Sequence, residues 1–201
     1  MNLICFANFT AGGLLCDLLN NTTSKINGIN LKTNLAHSFL KINDNGRVCR
    51  TFNKDFWDKR LNGNKILLLV TETLNKDLSS FYVGTHSHPS CIPSEYLNKF
   101  NKVISITTET QESKFFRYVR MCHGLKDTVP EHNVYNVIES FESSANCINI
   151  EFKDIVNGKY ILENNLNYEY YKIWREANPF LYSIEPKLLD TFIKIAGEVN
   201  V

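Results

Sequence analysis

Apolar residues along this chain fall into short unbroken runs separated by amphipathic stretches. Residues 3–7 form one run, and Asn8, a loop and a glycine pair follow it. Residues 80–86, Val103–Thr107 and 147–152 form three more. Each is rich in Ile, Val, Phe or Tyr and short enough to be a buried strand. Between them lie segments with helical spacing. Leucines at 14, 15, 18 and 19 follow the first glycines, and residues 94–100 follow Pro93. Residues 109–123 end at Gly124, and residues 130–144 open on a proline. Residues 168–175 and 186–197 are the last two, with Ser183 a candidate cap for the second. Shorter features are a helix over 33–39, a turn at 43–46 and a helical turn over 55–61. Residues 65–74 are apolar enough for either strand or buried helix. Strands that alternate with helices and lack in–out alternation predict a three-layer α/β fold. Its central sheet is mainly parallel and covered on both faces.

Length and composition fit one domain. The chain has 201 residues, of which 43% are hydrophobic and 12% aromatic, enough for a substantial core. Net charge is +1 and the charges are dispersed, so no basic stripe points to nucleic acid. No apolar run has the length of a membrane span, and the apolar N-terminal stretch lacks the positive flank of a signal peptide. The six cysteines form no Cys-x-x-Cys pair, and several sit inside apolar runs. They read as reduced thiols of a cytoplasmic protein.

Three places carry candidate chemistry. The first is the loop Asn8-Phe-Thr-Ala-Gly-Gly, between a strand and a helix. Free amides at a helix N-terminus attract anions, and glycines let a phosphate approach, so Thr10, Ala11, Gly12 and Gly13 are candidate ligands. The same glycines also suit plain tight packing of helix on strand. The full Gly-x-x-x-x-Gly-Lys-Ser/Thr signature is absent, which argues against an ATPase, GTPase or small kinase. The second place is Val83-Gly-Thr-His-Ser-His-Pro. His86 lies at a strand's carboxyl end, where open parallel sheets bind ligands, and can act as a general base. If the strand continues, His88 faces the same side. A metal site would need a third ligand such as Cys91, and two exposed histidines at a capped strand end are the plainer reading. The third is Ser113, Arg117 and Arg120, which share one helical face. A hydroxyl with guanidinium groups suits a phosphate, whereas a solvated face paired to Glu109 or Glu112 needs no ligand.

In order and spacing these segments resemble the sulfotransferase superfamily, which draws on 3′-phosphoadenosine 5′-phosphosulfate. Gly84-Thr-His-Ser-His-Pro is similar to the family's histidine motif, and Lys102-Val-Ile-Ser-Ile-Thr-Thr to its following strand. Ser113-Lys-Phe-Phe resembles its serine helix, and Ile148-Asn-Ile-Glu-Phe-Lys-Asp-Ile its late strand and the segment after it. The likeness spans about residues 3–156. It implies a P-loop-type fold and transfer of a sulfuryl group to a small-molecule or saccharide hydroxyl acceptor. It also implies His86 as base, the residue 10–13 loop on the 5′-phosphosulfate, and Ser113 with Arg117 or Arg120 on the 3′-phosphate. No metal is implied. Three positions depart from the pattern: Thr10, Gly13 and Thr108 stand where lysine, a hydroxyl residue and arginine are expected. These losses make a catalytically degenerate nucleotide- or partner-binding module the alternative. Composition alone suggests an aromatic acceptor pocket from Phe52, Phe56, Trp57 and the 168–182 region.

Overall fold

Four short apolar runs pair side by side to make the sheet. In the computed structural model they are strands β1 (Asn2–Phe6), β6 (Tyr82–Thr85), β7 (Val103–Thr107) and β8 (Ile148–Glu151), in the order β6-β1-β7-β8. Every pairing is parallel, with Ile4 opposite Gly84 on one side and Ile104 on the other. The described residues are 1–21, 25–26, 29–30, 39–42, 48–52, 54–61, 77–125, 140–183 and 185–199. The fold is thus α/β with an all-parallel four-stranded sheet, and each strand lies within a residue or two of its expected bounds.

Alternation along the strands sorts side chains onto two faces. Ile4, Phe6, Ile104, Ile106 and Ile150 belong to one core with helices α1 (Gly12–Asn20) and α4 (Gln111–Gly124). Helices α5 (Phe152–Val156), α6 (Lys159–Glu163), α7 (Tyr168–Glu176) and α8 (Pro186–Val199) complete that layer. Leu3, Cys5 and Val83 face the other way. There they meet Trp57 of α2 (Lys54–Leu61), Tyr96 of α3 (Ser94–Leu97) and Phe100. Both faces of β1, β6 and β7 are covered, whereas Ile148 and Asn149 of the edge strand β8 are exposed.

Two antiparallel hairpins precede α2. They join β2 (Lys25–Ile26) to β3 (Ile29–Asn30) and β4 (Phe39–Ile42) to β5 (Val48–Thr51). They were not anticipated, and Phe39 starts a strand where the spacing predicts the end of a helix. The expected elements at 33–38, 43–46 and 65–74 lie outside the described residues. The helix expected over 130–144 is corrected at its end. Residues 140–144 are not helical, and their backbone bonds to loops instead: Thr108 N donates to Phe141 O at 2.9 Å, and Phe141 N to Thr108 Oγ1 at 2.9 Å. Among the described residues no helix is long and apolar enough to cross a membrane.

Glycine is required where α1 leaves the sheet. A Cβ on Gly12 would stand 2.1 Å from Cγ of Phe6, and one on Gly84 would stand 2.7 Å from the same ring. The ring is 5% exposed and wedged between two backbones. Gly12→Ala is therefore expected to overpack this contact. Chemical denaturation should show a loss of about 1–3 kcal/mol.

Candidate functional site

The loop after β1 is strained and held by two arginines. Phe9 and Ala11 have φ of 68° and 56°, in the left-handed region that costs non-glycine residues free energy. Thr10 is fully buried, and its hydroxyl donates to Ala7 O at 2.7 Å. Arg117 Nε donates to Asn8 O at 3.0 Å, and Arg120 Nη1 donates to Phe9 O at 3.2 Å. Both guanidinium groups reach across from α4 and hold the loop's carbonyls. Arg117 is 7% exposed, so the solvated basic face is corrected: this side of α4 is partly core. Glu109 and Glu112 bond elsewhere, Glu109 to Ser143 N and Glu112 to Lys153 and Asn157.

Helix α1 then starts at Gly12. Ala11 is its N-cap and makes no side-chain cap bond. The amides of the first turn have no intrahelical acceptor, and they carry the positive end of the helix dipole. Gly12 is buried and Gly13 half-buried.

His86 stands beside this turn. Its ring meets Phe6 edge-on, with centroids 4.4 Å apart, and Phe6 in turn lies against Gly12. His86 is half-buried. His88 does not share its side, because β6 stops at Thr85. The His88 ring packs on Phe141 at 4.7 Å, and Phe141 joins the core of the opposite sheet face. Its Nε2 lies 2.9 Å from Glu142 O, and its Nδ1 accepts from Ser90 N at 3.2 Å. Among the described residues no three His, Cys, Asp or Glu side chains are arranged to hold a metal. The described cysteines, Cys5, Cys16, Cys91, Cys122 and Cys147, are free thiols. Burial pushes Cys5 and Cys16 well above the usual thiol range.

Ser113 is occupied. Its hydroxyl donates to Glu151 Oε2 and accepts from Lys153 N at 3.0 Å. Glu151 was not singled out in the sequence, yet it organises this corner. It also accepts from Thr107 Oγ1 at 3.1 Å, Glu109 N at 2.9 Å and Thr110 Oγ1 at 2.9 Å. Thr110 is the N-cap of α4 and accepts from Ser113 N. A carboxylate of the protein itself thus fills the anion seat at the start of α4. Partial burial pushes its pKa up. Bonds from Ser113, Glu109, Thr110 and Thr107 outweigh that and hold it below the usual carboxylate value.

The structure therefore brings Thr10, Ala11, Gly12, Gly13 and His86 together around Phe6. Arg117 and Arg120 lie behind the loop, and Ser113 lies toward β8. The two aromatic groups expected to share one pocket are on opposite sheet faces. Phe52 and Trp57 pack with Tyr96, whereas Tyr168, Tyr171, Trp174 and Tyr182 pack against the α4 layer. The Phe56 side chain lies outside the described residues. No protein-family model matches the chain, and no curated protein or solved structure matches it. The likeness to sulfotransferases rests on the motifs and their order alone.

Replacing Glu151 by Gln should lower stability by roughly 1–2 kcal/mol, the low end for charged hydrogen bonds because this group is half-exposed. The sign with pH follows from a depressed folded-state pKa. The stabilisation is complete above the unfolded value of 4.5 and is lost as pH falls through the lower folded value. Denaturant melts of both proteins between pH 7 and pH 3 should converge at the acid end.

Proposed function

We propose that this is a sulfotransferase-like protein on a P-loop-type scaffold. It moves a sulfuryl group from 3′-phosphoadenosine 5′-phosphosulfate to a hydroxyl of a small-molecule or saccharide acceptor. One observation carries the reading. β1 runs parallel between β6 and β7, so the Thr10–Gly13 turn, His86 and Thr108 all lie at the carboxyl edge of three adjacent strands. Ligands of open parallel sheets bind at that edge.

In this reading His86 takes the proton of the acceptor hydroxyl as its oxygen attacks sulfur. The bond from sulfur to the 5′-phosphate oxygen breaks, and that oxygen keeps the electron pair. The uncapped first turn of α1, through the amides of Ala11, Gly12 and Gly13, receives the departing charge. Thr10 cannot supply the missing lysine's charge, and its hydroxyl proton is given to Ala7 O. Grip on the 3′-phosphate by Ser113 requires its release from Glu151.

That last requirement favours a second reading, a degenerate binding module on the same scaffold. An internal carboxylate already fills the place that a ligand's phosphate would take. Calorimetry with 3′-phosphoadenosine 5′-phosphate, together with a transfer screen from labelled donor, separates the two. Binding with transfer supports the enzyme, and binding without transfer supports the module. Absence of both nucleotide binding and transfer overturns the enzyme and the nucleotide-binding module alike. For the enzyme, His86→Ala should reduce turnover about 10²–10⁴-fold with little change in nucleotide affinity, because a general base acts on the acceptor.

A further inference from the structure

His88 makes a contact that sulfuryl transfer as described does not use. Its Nδ1 lies 2.6 Å from Oγ of Ser90, an exposed residue. The other partners of the ring settle its tautomer. Nε2 lies 2.9 Å from the carbonyl oxygen of Glu142, which can only accept, so Nε2 bears the hydrogen. Nδ1 also faces the amide of Ser90 at 3.2 Å, which can only donate, so Nδ1 presents its lone pair. The Ser90 hydroxyl therefore donates to Nδ1. That is the relation of a nucleophile to its general base, with a third group holding the base from behind.

His88 is also the N-cap of the short turn Pro89–Cys91, and a cap alone would account for the bond from Ser90 N. It does not account for the far side of the ring. Glu142 is 54 residues away in the chain, and its neighbour Phe141 packs edge-on against the imidazole with centroids 4.7 Å apart. The Phe141 backbone is fixed in turn by two bonds to Thr108, each of 2.9 Å. The imidazole is thus half-buried and held on two sides, while the serine it faces is open to solvent. Both lie just beyond the carboxyl end of β6, the edge at which open parallel sheets bind ligands.

We propose that Ser90 and His88 are the nucleophile and general base of a second site, which hydrolyses carboxylic esters or thioesters with a good leaving group. Ser90 Oγ bonds to the acyl carbon as its proton passes to His88 Nδ1. The bond from that carbon to the leaving oxygen or sulfur breaks. The leaving atom keeps the electron pair and takes the proton from Nδ1. A water then gives a proton to Nδ1 as its oxygen bonds to the acyl carbon. The bond to Ser90 Oγ breaks, and Oγ recovers the proton. In both steps the imidazole is briefly a cation, and Glu142 O accepts its Nε2–H throughout. This chemistry goes beyond sulfuryl transfer, which uses His86, and does not depend on it.

The test uses the whole chain with 4-nitrophenyl acetate. It is read by release of 4-nitrophenol and by peptide mass spectrometry for the acetyl group. Release should open with a burst and continue at a steady rate, and the acetyl group of the burst should sit on Ser90. Exposed Ser143 is the internal reference. It should be acetylated at least about 10²-fold more slowly, the low end of what a general base contributes. His88→Asn keeps a side chain that caps well and removes the base. It should slow acetylation of Ser90 about 10²–10⁴-fold. If it fails to fold, because His88 also ties two loops together, Ser90→Ala decides: burst and steady release should both disappear. Acetylation of Ser90 no faster than of Ser143, or acetyl on Cys91 or lysines instead, overturns the site. So does an unchanged rate in His88→Asn, a burst that survives in Ser90→Ala, or a burst without turnover. Absence of nucleotide binding and of sulfuryl transfer bears on the earlier reading alone.

Discussion

Glu151 sits where β8 ends, and its carboxylate gathers donors from four positions at the junction of β7 and α4. That one group fixes how α4 leaves the sheet. The tilt of α4 then decides where Arg117 and Arg120 emerge. Those two side chains grip the carbonyls of Asn8 and Phe9, and so hold a loop whose backbone is strained at Phe9 and Ala11. The loop in turn sets the first turn of α1. A chain of polar contacts thus runs from the edge strand to the central one, above a core that is otherwise apolar. Each link is charge-assisted, hydrogen-bonded and at least partly shielded from water, conditions under which such bonds contribute most.

β1, β6 and β7 could be read from the chain because the middle of a parallel sheet is buried on both faces, while the edge strand β8 shows only through its isoleucines at 148 and 150. α1, α4, α7 and α8 were legible for a related reason: each carries one apolar stripe, which α1 and α4 turn to the sheet and α7 and α8 turn to those two helices. What could not be read was the meaning of the polar residues. Spacing placed Ser113, Arg117 and Arg120 on one face, but not what that face meets. It meets the protein itself. Glu151 falls inside the late-strand resemblance, but nothing in that segment says what its carboxylate bonds to. Its partners lie 38 to 44 residues away in the chain. Residues 140–144 read as helix from their proline start and periodicity, yet tertiary pairing with Thr108 claims them. His86 and His88 looked like neighbours on one side only if β6 continued, and it stops at Thr85.

The two sheet faces divide the chemistry. On the α1 and α4 side lie the helix turn, His86 and the paired arginines. On the other lie Trp57, Tyr96 and the 140–144 segment, which ties the loop after β6 to the loop after β7 through His88 and Thr108. Aromatic composition alone could not separate these sides. A residue's parity along its strand does, because successive positions point to opposite layers.

Phe6 shows what such packing implies for the history of a sequence. Its ring fills the space that side chains at both 12 and 84 would need. The three positions therefore change as a set, and in one order. The ring is better shrunk before either glycine gains a carbon, since the reverse path passes through an overpacked intermediate. A family that had drifted from this chain would show a smaller residue at position 6 wherever it shows a side chain at 12.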